Sequence, residues 1–143
     1  MALQLLSALC SVALLFTLTL ALPMQTEELK TVSIRITVKD DVSTTLESYH
    51  TSVLEGGVLY GALRRLEESN NGFKFTVTLD PNFGLFLESV NGVAGSDAKQ
   101  KYWQILSEHD GTVTMLDVGV GCYQPKTDEH IILKYTTWSE VSH

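Results

Sequence analysis

Tyr102, Trp103 and Gln104 stand side by side inside a short apolar run, Lys101-Tyr102-Trp103-Gln104-Ile105-Leu106. Two large rings, one with an obligate N–H donor, adjoin a side-chain amide. Such groups suit a surface that grips a large, flat, partly polar ligand better than one that breaks a bond. Two further segments accompany them, Gly121-Cys122-Tyr123-Gln124-Pro125 and a closing apolar run that ends at Trp138.

Residues for bond-breaking chemistry do not gather. His50, His109, His130 and His143 are scattered, with no pair at metal-ligand spacing. Cys122 with a histidine would be the minimum for a thiol hydrolase, but a small buried residue beside a turn is the plainer account. Gly56-Gly57 before an amphipathic segment could hold an anion, but its ordinary use as a turn is much the stronger reading. Glu108-His109-Asp110 reads as a polar turn, and Asp40-Asp41 and Glu67-Glu68 as solvated surface. No catalytic residue and no metal ligand is assigned, and the expectation is a binding protein rather than an enzyme.

On a strand, Tyr102 and Trp103 point to opposite faces, so one enters the core while the other faces outward or to an edge. Gln104 shares the face of Tyr102. Phe83-Gly84-Leu85 is a second apolar run, and Gly84 within it signals either the close approach of a ligand or backbone, or a bulge.

The elements that position these groups follow from periodicity. Val32, Ile34, Ile36 and Val38 alternate with polar residues and predict a half-buried strand. Thr44 to Ser52 predicts a more polar strand at an edge. Val58, Leu59, Ala62, Leu63 and Leu66 recur at helical spacing and predict about three turns of helix with one buried face. Ser69-Asn70-Asn71-Gly72 ends it, with Gly72 expected in a left-handed exit. Strands are predicted over Phe73–Leu79, Phe83–Val90 and Lys101–Leu106, then around Val113 and Met115, and last over Ile131–Thr137. Asn91-Gly92 is a strong turn signal, and residues 92–98 read as a loop. One helix among six or seven strands gives an α+β domain, a small, mostly antiparallel β-sheet of β-grasp-like design.

Length and charge bound the rest. The 143 residues, 44% hydrophobic, suffice for one small domain. Residues 1–22 carry no charged side chain, are rich in leucine and end in small residues before Pro23. Thr19-x-Ala21 predicts a signal peptide over 1–21, with a signal anchor as the alternative. Residues 22–30 read as a polar leader, and the domain as 31–143. The net charge of −7 argues against nucleic acid and anionic membranes as partners. Of two cysteines, Cys10 lies in the leader, leaving Cys122 buried, capped or paired between chains.

Three segments in this order resemble the C-terminal β-domain of the transcobalamin, intrinsic factor and haptocorrin family. They are Asn82-Phe83-Gly84-Leu85-Phe86-Leu87-Glu88-Ser89-Val90-Asn91-Gly92, then Tyr102-Trp103-Gln104-Ile105-Leu106-Ser107, then Gly119-Val120-Gly121-Cys122-Tyr123-Gln124-Pro125 with the strand to Trp138. The resemblance runs from about Thr31 to Trp138. It implies a secreted, extracellular protein that binds or carries cobalamin (vitamin B12). In that family a helical α-domain and this β-domain close over the corrinoid. Contacts carry over to residues 82–87 and 103–112, and among these to Phe83, Gly84, Leu85, Phe86, Trp103, Gln104, Ile105 and Leu106. Backbone groups are expected to hydrogen-bond the corrin amides. The sequence departs from the pattern at Cys122, usually acidic, and at Gly121, usually Ala. The α-domain has no counterpart here, so a separate α-domain carrier protein, or a second copy through Cys122, is the expected partner. The competing reading is a secreted interaction module that kept the fold and lost the vitamin.

Overall fold

The computed structural model describes residues 29–40, 46–82 and 84–138. The expected signal peptide, nearly all of the polar leader and Phe83 lie outside the described residues. From Thr31 onward the elements run β1 (Thr31–Asp40), β2 (Glu47–Leu54), α1 (Leu59–Ser69), β3 (Phe75–Asp80) and β4 (Gly84–Val90). Then come β5 (Val93–Ala94), β6 (Lys101–His109), β7 (Thr112–Met115) and β8 (Glu129–Thr137).

Two sheets form. Five strands lie in the order β2-β1-β8-β6-β7, and three in the order β3-β4-β5. All pairings are antiparallel except β1 with β8, which join the first and last strands side by side. Those two strands lie inside the larger sheet and carry much of its buried aliphatic surface. Ile34, Ile36, Ile131 and Leu133 lose essentially all exposure there, together with Leu59, Ala62, Leu63 and Leu66 from α1. Each fully buried leucine or isoleucine contributes roughly 1.5–3 kcal/mol.

The first turn of α1 lacks a side-chain cap at Val58. Its N–H groups go instead to a loop: Leu59 donates to the Tyr123 carbonyl (2.7 Å) and Tyr60 to the Val120 carbonyl (2.8 Å). The orphan donors of a helix start therefore anchor residues 119–123. The same bonds occupy groups that an anion at Gly56-Gly57 would need, and Gly57 serves as a turn, its N–H donating to Leu54.

Two predicted details change. Gly72 is not left-handed. Asn70 ends α1 in an extended conformation, and its side-chain oxygen accepts the Gly72 N–H at 2.8 Å, a local Asn turn that makes a positive φ unnecessary. The segment 92–98 is not all loop. Asn91-Gly92 makes the tight turn (φ 50° and 83°) and Val93–Ala94 pairs back on β4 as β5. β6 also runs on to His109, and Asp110-Gly111 turns the chain into β7.

Candidate ligand-binding site

A cleft of about 200 Å³ opens between the two sheets. β4 supplies Leu85, Phe86 and Leu87, β6 supplies Tyr102 to Ile105, and the segment after β7 supplies Met115 to Gly119. Phe86, Met115 and Val118 are about half exposed at its rim, an apolar border left open to solvent.

The cleft exists because β7 is short. It pairs with β6 only from Leu106 to His109. Ahead of that, the Leu116 N–H donates to the Ile105 carbonyl (3.0 Å), and Lys101 exchanges two bonds with Ser96 (both 2.9 Å). Main-chain groups of alternate residues point to the same edge. The Trp103 N–H and C=O therefore face the cleft, between these two pairings, with no strand residue opposite them on that side.

The Trp103 side chain goes the other way. It is 5% exposed, its Nε1–H donates to the Val93 carbonyl (2.8 Å), and its ring leans on Tyr135 at 5.1 Å between centroids. Tyr135 in turn donates to the Ala94 carbonyl (2.9 Å). Two aromatic hydrogen bonds thus pin β5 to β6 and β8. Tyr102 and Gln104 lie on the opposite face, both half-buried. The Gln104 amide nitrogen reaches the Met115 sulfur at 2.9 Å. Its amide oxygen has no partner among the described residues.

Of the expected contact residues, Leu85, Phe86, Trp103, Gln104 and Ile105 line this cleft. Leu106 does not. It sits opposite Met115, under the strand that closes the edge. Gly84 lies at the entry to β4 with φ +76° and open space where a Cβ would be. Its need is for backbone conformation rather than close approach. The bulge of this hairpin falls at Glu88, where the register slips between Thr76 and Val77. The far part of the expected 103–112 contact loop forms the β6–β7 hairpin tip, away from the cleft.

Sequence reasoning missed Leu116 to Gly119, an irregular segment without periodicity. What holds it is downstream. Glu129, 4% exposed, accepts from Tyr123 (2.6 Å), Ser107 (3.0 Å) and the Lys126 N–H (3.1 Å). Burial and the Glu129 carboxylate push the Tyr123 phenol above its usual range. Gly121 meets Leu85, whose atoms would lie 3.2 Å from an added Cβ. An alanine there has to displace the cleft wall.

The nearest approach to a catalytic arrangement was also invisible in sequence. His130 Nε2 lies 2.7 Å from Thr37 Oγ1, and its Nδ1 lies 3.0 Å from Arg35 Nη2 and 3.5 Å from Glu108 Oε2. Arg35 can only donate, so Nδ1 accepts and Nε2–H donates to Thr37. Burial first, and then the Arg35 charge, hold His130 below its ordinary value. Thr37 is buried and shares its hydroxyl with Ser48 (3.0 Å). The group ties β1, β2, β6 and β8 together, and the hydroxyl beside the imidazole is that of buried Thr37, with exposed Ser48 one step further away. Among the described residues no cluster of three or more His, Cys, Asp or Glu could hold a metal, and no helix is long and apolar enough to cross a membrane.

No family model matches the chain. It is 33% identical over 125 residues to the cobalamin binding intrinsic factor of Canis lupus familiaris, covering 82% of this chain and 29% of that protein. It is 36% identical over 92 residues to the human protein of the same name, covering 64% of this chain and 21% of that one. The chain thus spans less than a third of the length of these relatives. Among solved structures, haptocorrin in complex with Cbi superposes with a TM-score of 0.66 at 18% identity, over 80% of this chain and 27% of that one. A Ruminococcus gnavus protein described as a candidate metal-binding protein gives 0.56 at 18% identity, over 76% of this chain and 99% of that one. The fold therefore makes up nearly the whole of one solved chain and a quarter of another. On sequence and fold together, this chain belongs to the intrinsic factor, haptocorrin and transcobalamin family and carries its C-terminal domain.

Proposed function

We propose that this chain is a secreted, non-enzymatic cobalamin-binding protein, and that the corrinoid lies along the open edge of β6. The carrying observation is that edge: Trp103 presents a backbone donor and acceptor, next to the Gln104 amide, in a cleft bordered by exposed Phe86, Met115 and Val118. A corrin offers the complement, an apolar ring face fringed with carboxamides. Main-chain groups pair with the amides while the apolar rim covers the ring. Relatives named for cobalamin binding support the same ligand. The uncharged, leucine-rich residues 1–22 support secretion.

One β-domain covers one side of the ligand, so affinity is modest until a partner covers the other. That partner is an α-domain-bearing carrier protein or a second copy. Cys122 is exposed rather than buried as expected, because it sits on the outer side of the 119–123 turn; it offers a route to the second copy, and a shift on non-reducing electrophoresis decides between them. The central test is titration of the purified protein with cyanocobalamin, followed by the corrin absorption bands. Saturable spectral change is expected, weakened by Gln104→Ala. No change up to high micromolar concentration would leave instead an interaction module whose apolar rim faces another protein.

A further inference from the structure

The register of the larger sheet sets His50 of β2 opposite Arg35 of β1, Arg35 opposite His130 of β8, and His130 opposite Glu108 of β6. This row lies on the face turned away from α1, because Ile34 and Ile36, the neighbours of Arg35 along β1, are buried in the core with the helix. A cavity of about 500 Å³ opens over the row. Arg35, His50, His130, Ser33 and Asp128 line it, and none of them borders the corrinoid cleft. Ile34 and Thr51 contribute main chain to its floor, since Ile34 is buried and the Thr51 hydroxyl donates to the Ala62 carbonyl of α1 (3.1 Å). We propose that this cavity binds a small sugar carrying a sulfate or phosphate group, with the oxyanion on Arg35 and His50 and a sugar hydroxyl on Asp128.

Three observations carry the assignment. First, the Arg35 charge is held in place and left uncancelled. One N–H of its guanidinium goes to His130 Nδ1 (3.0 Å), and among the described residues no carboxylate comes within ion-pair distance of it. Burial, and then the Arg35 charge, keep His130 below its ordinary value. A neutral imidazole orients the guanidinium without adding charge, and the remaining N–H groups suit the paired oxygens of a sulfate or phosphate. Lys39 adds positive charge along β1, while Glu108, 3.5 Å from His130 Nδ1, is not among the lining residues. Second, His50 is exposed and makes no hydrogen bond among the described residues. An imidazole opposite a guanidinium contributes nothing to the fold once it takes a proton, since like charges across strands repel. Facing an oxyanion, either form of the ring can donate. Third, the cavity exceeds what a bare oxyanion needs. A water takes roughly 30 Å³ of liquid volume and a sulfate only a few times that, so most of the space suits what the anion is attached to. Asp128 stands in the wall with no partner for its carboxylate among the described residues. Such an acceptor repels a bare anion and suits the hydroxyl of a larger molecule.

The test is a titration of the purified protein with glucose 6-sulfate and glucose 6-phosphate, followed by the imidazole C–H signals in NMR at constant ionic strength and pH. Sodium sulfate, sodium phosphate and glucose are titrated in parallel. Both sugar esters should move the His50 and His130 signals saturably in the millimolar range. The bare anions should bind several-fold more weakly, and glucose should move neither signal. The tighter of the two esters identifies the oxyanion. Arg35→Gln should weaken the esters about tenfold and His50→Gln about threefold. Asp128→Gly, which tolerates the positive φ of that position (61°), should weaken the esters and strengthen bare sulfate. Unfolding midpoints are measured for each variant, and if Arg35→Gln fails to fold, exposed His50 on the edge strand β2 carries the comparison. Shifts that do not saturate, equal shifts from glucose, or native affinity in His50→Gln would overturn the site. Bare anions bound as tightly as their esters would overturn the sugar assignment. Cyanocobalamin titration of His50→Gln should match the native protein, so the corrinoid reading stands or falls separately.

Discussion

The two halves of β6 share one partner and differ in the other. Along its whole length β6 pairs with β8, from Lys101–Thr137 to Glu108–His130. On the opposite side, Leu106 to His109 is covered by β7, whereas at Trp103 no strand lies alongside. The covered half ends in a hairpin tip. The uncovered half faces the cleft. An unpaired strand edge is ordinarily an aggregation hazard. Here β5, the segment 115–119 and β4 crowd round it, leaving room for a small ligand rather than a strand. The binding feature is the place where strand pairing runs out.

Within the open half, the two neighbours Trp103 and Gln104 divide structure from recognition, and substitutions separate them. The largest effect is expected from Trp103→Ala, which empties a packed site and removes the indole N–H that donates to the Val93 carbonyl. A loss of about 3–5 kcal/mol in denaturant unfolding should result, with loosening of β5 visible in amide exchange. A neutral result would show that the inward ring is not structural. Next comes Glu129→Ala, which strands the Tyr123 and Ser107 hydroxyls and the Lys126 N–H. About 1–3 kcal/mol should be lost, and corrinoid binding should weaken too, because the 116–123 segment loses its anchor. Gln104→Ala should reverse the Trp103 pattern. Unfolding should change by no more than about 0.5 kcal/mol, while cyanocobalamin titration weakens several-fold.

The smallest effect concerns pH. His130 titrates below its ordinary value in the folded chain, owing to burial and then to Arg35, with Lys39 acting in the same direction and Glu108 opposing. The unfolded chain therefore takes up the proton first as pH falls below about 6.5. The stability supplied by the neutral ring is complete above that point and is lost as pH drops through the folded value. Unfolding midpoints measured from pH 7.5 to 5 should decline, and His130→Gln should flatten that slope. An unchanged slope would remove His130 as the cause.

Much of this was legible from local pattern. Alternation located β1, β3, β4 and β8, and the 3.6-residue period located α1 to within a residue or two. Asn91-Gly92 announced its turn because few other pairs tolerate two successive positive φ angles. Five of the eight expected contact residues meet at one cleft because they occupy neighbouring strands at matching depth. Leu106 falls away because strand coverage, not residue type, decides which part of β6 is open. Gly72 misled because a turn closed by an asparagine side chain looks, in sequence, like a glycine exit.

By itself the sequence determined the apolar strands, the helix, the family and the aromatic-amide run, since each is written in residues close together along the chain. Tertiary structure alone decided which way Trp103 turns. A strand residue presents its side chain to one face and its backbone to an edge, and only the neighbouring strands say which face is core and which edge is free. The same holds for Arg35, His130 and Glu108, brought together by register across three strands. It holds as well for the 119–123 loop, whose anchor is the start of a helix about sixty residues away in sequence.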